Sequence, residues 1–266
     1  MKIYSYSLQG KRQSNEDTHI IINNLDGNNK YLNPINLFGV FDGHGGKLVS
    51  KFLKDNLPKY FINKLNKNIY GNVQSATKYF VNVYNDIQNN LINAHPKAVQ
   101  YCGSTACVAI HYKDNYNKDK LWILNVGDSR AIKCNSAYIA EQLSIDHKPS
   151  VPQERLRIEQ LGGKIEYDGS DWRIKDLSLS RAFGDLEAKP FVSHFPQIYK
   201  YKINSQDKFM ILACDGLWDV LSNQDAIDFI IPLINKKFNG NYAKELAEYA
   251  YKKGSMDNIT AIVVIF

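Results

Sequence analysis

Two of the most apolar runs in this chain stop at an Asp-Gly pair: LFGVF leads into Asp42-Gly43, and FMILAC leads into Asp215-Gly216. Short β-branched or aromatic runs bounded by Asn, Asp or Gly read as strands, so each of these delivers a carboxylate at a strand end. Two further acidic segments flank strand-like runs. Asn15-Glu16-Asp17 precedes Thr18 to Ile22, and Asp257-Asn258 precedes Ile259 to Phe266. A single Asp-Gly is ordinarily a turn. Two of them, each capping an apolar strand with another carboxylate or a histidine nearby, point to a site for hard divalent cations, because oxygen donors suit Mg²⁺ and Mn²⁺. The fold must then bring distant strand ends together.

Further strand-like runs lie at Ile3 to Leu8, Leu37 to Phe41, Thr105 to Tyr112, Leu121 to Val126, Arg130 to Cys134 and Phe209 to Cys214. Helical periodicity occupies about 46 to 66, 73 to 94, 152 to 161, 222 to 236 and 242 to 253. Ser222 with Asp225 three residues on is a capping-box pattern. The last helix is expected to start after Asn241 and stop at Gly254, with Lys252 and Lys253 favourably placed at its C-terminus. Strands come in groups and helices in an early and a late pair, so a strictly alternating βαβ sheet fits poorly. An α+β layout, with helices outside a largely antiparallel β core, fits better. With 266 residues, 44% of them hydrophobic, the chain can bury a sizeable core unaided. No repeat or Pro/Gly/Ser linker divides it, so 1–266 is expected to be one domain, with 146 to 176 its most loop-like part.

The net charge of +6 comes from dispersed lysines, with doublets only at sites such as Lys236-Lys237. That describes a solvated face, not a nucleic-acid surface, though it attracts acidic or phosphorylated substrates. Cys102, Cys107, Cys134 and Cys214 form no CxxC pair, which suggests buried, reduced thiols in a cytoplasmic or nuclear protein. The opening MKIYSYSLQG lacks a signal-peptide core, and no window has the length of a membrane span. A cysteine phosphatase needs Cys and Arg six positions apart. The residues six beyond the four cysteines are Val108, Lys113, Ala140 and Val220, which excludes that mechanism. Walker A, GxGxxG and HExxH patterns are absent too.

Beside the acidic segments, His44 lies among glycines two residues beyond Asp42, where it can donate a proton to a leaving oxygen. Arg12, four residues before Glu16, is placed to clamp phosphate oxygens with its guanidinium fork. His147 reads as structural, holding a turn before Pro149. His19, His95, His111 and His194 carry no assigned role.

Together the segments RQSNED (12–17), FGVFDGHGG (38–46), GSTA (103–106), NVGDSR (125–130), DHKP (146–149), LSRAFGD (179–185), ILACDGLWDVLSNQ (211–224) and GSMDNITAIVV (254–264) resemble the metal-dependent serine/threonine protein phosphatases of type 2C, the PPM family, over essentially the whole chain. The resemblance implies a central β-sandwich of two antiparallel sheets flanked by α-helices on both outer faces, with two Mg²⁺ or Mn²⁺ ions in a cleft at one end. By matching position, Asp42 bridges the two ions. Asp215 and Asp257 help hold one of them, and Glu16 and the Gly43 carbonyl hold the other. Asp17 and Asn258 take supporting positions, and a third, weaker ion near Asp128 and Asp219 is implied from some relatives.

The activity implied is hydrolysis of phosphoserine and phosphothreonine in proteins by a monomer, through metal-activated water and without a phosphoenzyme. Arg12 then holds the phosphoryl group and His44 protonates the leaving oxygen. Retention of Asp42, Asp215, Asp257, Arg12 and His44 favours an active enzyme over a binding-only relative. A phosphoesterase acting on small molecules would share the same chemistry. The chain departs from the family pattern in RIKDLSLSRAFGD, which carries Asp176 and Ser178, and in SHFPQI, which lacks a glutamate. Neither departure touches a metal position, so both bear on the flap-like stretch of about 149–175 and on substrate preference.

Overall fold

A computed structural model describes residues 1–25, 34–63 and 70–266. Ten of its strands form two five-stranded antiparallel sheets. The first has the order β1 (Lys2–Leu8), β15 (Ile259–Ile265), β14 (Phe209–Ala213), β8 (Arg130–Cys134) and β9 (Ala140–Gln142). The second runs β13 (Gln197–Lys202), β7 (Asp119–Val126), β6 (Ala106–Lys113), β3 (Asn36–Phe41) and β2 (Thr18–Ile22). Chain ends meet in the first sheet, where β1 pairs β15 with Tyr4 opposite Val263.

The sheets pack face to face. Phe38 and Val40 of β3, Met210 and Leu212 of β14, and Ile262 and Val264 of β15 share one buried cluster between them. Alternate residues of the same strands point outward. Leu37 and Phe41 pack with residues of α1 (Leu48–Asn63) and α2 (Val73–Ala94). Ile211, Ala261 and Val263 pack with residues of α4 (Asp215–Trp218), α5 (Asn223–Asn235) and α6 (Tyr242–Lys252). The central strands are therefore apolar on both faces, which is why they read as continuous hydrophobic runs instead of alternating ones. The α-β-β-α sandwich expected from the sequence is the observed fold.

Helix limits follow local chemistry. α2 buries Phe80, Val83, Tyr84, Ile87 and Leu91, a single stripe at helical spacing. At the start of α5 the Ser222 hydroxyl accepts from the Asp225 N–H at 3.1 Å and the Asp225 carboxylate accepts from the Ser222 N–H at 2.9 Å, so the capping box is formed. Asn241 caps α6 by accepting from the Lys244 N–H, and Gly254 beyond its end has φ of 102°. The helix expected over 46 to 66 begins at Leu48 and is described to Asn63; positions 64 to 66 lie outside the described residues.

Elements missed by sequence reading are short or polar. β13 is a sheet edge reading QIYKYK, where outward lysines mask the strand pattern and guard an open edge. The two-residue strands β4 (Gly43–His44), β5 (Gly103–Ser104) and β12 (Phe183–Gly184) form a separate small sheet in the order β12-β5-β4. In the stretch expected to be most loop-like, α3 (Pro152–Gln160) is the helix expected over 152 to 161, while the small hairpin of β10 (Glu166–Tyr167) and β11 (Trp172–Arg173) was not read. The stretch rests on its own cluster, which includes Ile158, Ile174, Leu179 and Val192.

Leu212 is fully buried between the sheets, so Leu212→Ala is expected to lower unfolding free energy by about 2–5 kcal/mol, whereas Ser222→Ala costs about 1 kcal/mol. Urea unfolding curves compare the two; equal losses would contradict this account of the core.

Candidate active site

At one end of the sandwich lies a cleft of about 440 Å³. Its walls include Arg12, Glu16, Asp42, Gly43, His44, Asp128, Asp215, Asp257 and Asn258, so nine of the residues singled out in the sequence converge there. Two do not line it. Asp17 lies beneath the cleft, buried, with a carboxylate oxygen in one group with those of Asp42 and the Cys214 sulfur, all within 4.8 Å of one another. Asp219, at the end of α4, has a half-exposed side chain facing Lys148.

Backbone contacts hold the acidic segments in place. Asp42 follows β3 and exchanges two bonds with Thr105: its N–H donates to the Thr105 hydroxyl at 3.1 Å, and its carbonyl accepts from the Thr105 N–H at 2.8 Å. The Thr105 hydroxyl also bonds that of Ser129 at 2.7 Å, which ties GSTA and NVGDSR to Asp42. Asn258 joins the two ends of the chain. Its amide donates to the carbonyls of Gln9 (2.7 Å) and Ser14 (2.9 Å), and its carbonyl accepts from the Glu16 N–H at 2.9 Å.

Two glycines make this approach possible. A Cβ on Gly216 would lie 2.0 Å from the Asn258 carbonyl oxygen, so only glycine lets the Asp215 turn meet the Asp257-Asn258 segment. A Cβ on Gly43 would lie 2.5 Å from the Glu16 carbonyl oxygen and 2.9 Å from the Ser50 hydroxyl. Gly43 thus has a packing requirement beyond the exposure of its own carbonyl, on which the sequence argument had rested.

The concentrated negative charge is only partly offset. Burial, then the charges of Asp215, Asp17, Asp128 and Asp257, hold the Asp42 carboxyl well above the usual carboxylate range. Asp215 is raised by burial and then by Asp128, Asp219 and Asp257. Burial lifts Asp17 and Asp128 to about 6. Both Asp17 carboxylate oxygens are buried without a hydrogen-bond partner. Cys214 is not a competing soft ligand: its thiol, pushed well up by burial, donates to the Asn258 carbonyl at 3.4 Å, and its sulfur accepts from the Thr260 N–H at 3.1 Å. Crowded, undercompensated oxygen donors with a protonated thiol fit Mg²⁺ or Mn²⁺ and do not fit zinc.

Three basic side chains border this charge. The Arg12 guanidinium is largely exposed at the mouth and donates to Asp257 at 2.6 Å. Lys148 sits beside Asp128 and Asp219. His44, on β4, bonds through Nε2 to the buried carboxylate of Asp185 at 2.7 Å. Burial pulls the His44 pKa down, but the Asp185 hydrogen bond and charge, with Asp128 and Glu16, outweigh it and leave it raised.

Asp185 and Lys148 stand in the motifs LSRAFGD and DHKP, yet sequence reading gave neither a role. Only the small sheet linking β4, β5 and β12 brings residue 185 to residue 44. His147 is structural as expected: its Nδ1 accepts from the Gly127 N–H at 3.1 Å, and Nε2 bonds Gln197 at 3.0 Å.

The departure noted at Asp176 also falls in the cleft wall, with Arg173 and Ser178. Ile174 and Leu177 exchange backbone bonds of 3.0 Å around Lys175 and Asp176, whose φ values are 52° and 68°. This is a two-residue hairpin turn that favours Gly or Asn, here closed by Lys-Asp.

An α-β-β-α sandwich with an acidic, phosphatase-like cleft at one end is the class of protein this geometry describes. The protein phosphatase 2C family model matches residues 1–259. A probable protein phosphatase 2C 59 of Oryza sativa is 39% identical over 99% of this chain and 75% of its own length, and its Arabidopsis thaliana namesake is 39% identical over 99% and 79%. The crystal structure of a serine-threonine phosphatase 2C from Toxoplasma gondii superposes with a TM-score of 0.85 at 26% identity, covering 99% of this chain and 94% of that one. The chain belongs to the protein phosphatase 2C family of protein serine/threonine phosphatases.

Carboxyls whose folded pKa is raised stabilise the fold below their unfolded pKa, and that stability is lost as pH rises through the folded value. For Asp17 and Asp128 the window runs from 3.8 to about 6. In EDTA, Asp42→Asn is therefore expected to melt above the wild type at pH 7, with the gap shrinking toward pH 4. Added Mn²⁺ should raise the wild-type melting temperature and leave the variant almost unmoved. A variant that melts lower at pH 7 in EDTA would contradict the charge account.

Proposed function

We propose that this protein hydrolyses phosphoserine and phosphothreonine in protein substrates, using two divalent cations held by Asp42, Glu16, the Gly43 carbonyl, Asp215 and Asp257. The observation that carries this reading is the meeting of those groups in one cleft with Arg12 and His44. When bound, Mg²⁺ or Mn²⁺ supplies Lewis-acid activation of water and neutralises phosphoryl charge. Asp42, in the same cleft as Asp215 and Glu16, would be the carboxylate common to both ions. Asp17 supports it from below, and Asn258 fixes the loop that carries Glu16.

The chain's own residues handle the substrate. Arg12 spends one nitrogen on Asp257, and the rest of its fork is available to phosphoryl oxygens, where it offsets charge in the transition state. His44 gives its proton to the departing seryl or threonyl oxygen, and Asp185 orients the ring and stabilises its charged form. A thiolate nucleophile has no source, because all four cysteines are buried and their thiols are pushed up by burial. Direct attack by water at phosphorus accounts for hydrolysis without a phosphoenzyme. Arg173 and Asp176, on the cleft wall, are suited to contact residues flanking the phosphorylated one.

A phosphothreonine peptide should be turned over only with added Mn²⁺ or Mg²⁺, at a rate insensitive to thiol alkylation. Asp42→Ala and Asp215→Ala should each lower kcat/KM by about 10²-fold or more. Robust turnover in EDTA would sink the reading, and a preference for small phosphomonoesters over the peptide would redirect it to small molecules. His44→Gln should cost about 10²-fold or more on the peptide and far less on p-nitrophenyl phosphate, whose leaving group needs little protonation. Asp185→Asn should follow the same pattern at smaller size. Equal losses on both substrates would remove the pair from proton donation.

A further inference from the structure

Lys189 buries its ammonium without a bonding partner. It follows Asp185 by one turn of the 3₁₀ helix Leu186–Ala188, in which the Ala188 N–H donates to the Asp185 carbonyl at 3.0 Å and the Lys189 N–H to the Leu186 carbonyl at 3.1 Å. Its Nζ is buried with no hydrogen-bond partner among the described residues. Such burial costs stability, and it pulls the Lys189 pKa down to about 8. Asp185 supplies the one negative charge that acts against this, and the guanidinium of Arg157 adds to the repulsion. Arg157 is itself committed to Glu154 and to the Ser180 carbonyl. His194 is no counter-charge either, since burial and then the charge of Lys189 push it down to about 4. A Cβ on Gly103 would lie 2.1 Å from the Asp185 oxygen that bonds His44, so backbone covers that side of the carboxylate. The electrostatic partner of Lys189 is therefore the residue that backs His44.

A buried carboxylate facing His44 alone would hold the ring's proton in a tight ion pair, a poor state from which to hand it to a leaving oxygen. We infer that Lys189 is a positioning residue for proton donation: its ammonium shares the charge of Asp185, so that Asp185 aims the His44 ring without locking the proton there. In the step itself one N–H bond of His44 breaks and one O–H bond forms on the seryl or threonyl oxygen as its bond to phosphorus breaks. Asp185 and Lys189 exchange no proton, and Lys189 remains as the counter-charge of Asp185 once the ring is neutral. The inference rests on the reading of His44 as the proton donor.

Lys189→Met removes the charge and keeps an apolar stem, and full-length wild type and variant are compared with saturating Mn²⁺. On a phosphothreonine peptide kcat is expected to fall about threefold to tenfold with KM within about twofold, while kcat on p-nitrophenyl phosphate moves by less than about twofold. At pH 7 the variant is expected to melt about 2 °C or more above the wild type, because an uncompensated buried charge is gone. A lysine that merely braced its loop would instead lose stability and both activities together. In the Asp185→Asn background, adding Lys189→Met should change peptide turnover by less than about twofold, since no carboxylate charge is left to share. Lys189→Gln carries the same comparison should the methionine variant fail to fold. An unchanged kcat on the peptide, equal losses on the two substrates, a lower melting temperature, or a full further loss on top of Asp185→Asn would overturn the proposal. His44→Gln in the same assays reports separately on the donor. If it separates the two substrates and Lys189→Met does not, the role of Lys189 falls alone; if it does not separate them, the donor reading falls and this inference with it.

Discussion

Repulsion among buried carboxylates is the constraint around which this molecule is built. Asp17, Asp42, Asp128 and Asp215 each lie at this end of the sandwich, and burial first, then the charge of neighbouring carboxylates, raises all four. Such an arrangement costs stability unless something positive joins it. The rest of the fold supplies the restraint: paired sheets fix the strand ends, and the Asn258 bonds and the close approach at Gly216 keep the acidic segments from spreading apart. A chain that forgoes stability in one place to keep a site is a common pattern in enzymes.

The same constraint organises the cations. Arg12, His44 and Lys148 each face a carboxylate, but in different surroundings. Arg12 is exposed at the mouth, where a substrate can reach it. His44 is backed by the buried Asp185, which fixes its ring. Lys148 lies 3.9 Å from Asp128 and Asp219 and 4.0 Å from Asp171 of the hairpin. Three basic side chains thus meet the acidic cluster at different depths and exposures.

Much of the frame was legible in the chain. The central strands were readable because both of their faces are buried, which leaves uninterrupted apolar runs, and α5 was readable because Ser222 and Asp225 write its start. β13 was not, since an edge strand carrying Lys200 and Lys202 lacks the apolar signal. The one-turn α4 was not, since Asp215-Gly216 reads as the end of a strand. The candidate ligands were readable because Asp-Gly after an apolar strand is a local pattern. Asp185 was not, because its importance lies wholly in its distance to His44.

By itself, then, the sequence determined which carboxylates stand at strand ends, which runs are buried and which helices are capped. These are properties of neighbours along the chain, set by side-chain periodicity and turn chemistry. Only the tertiary structure decided that Asp17 lies beneath the cleft and Asp219 outside its wall, that Asp185 backs His44 and that Lys148 faces three carboxylates. Each of those depends on strand register and on where β12 and the hairpin come to rest. Such pairings between residues far apart in the chain are fixed by packing, and no local pattern encodes them.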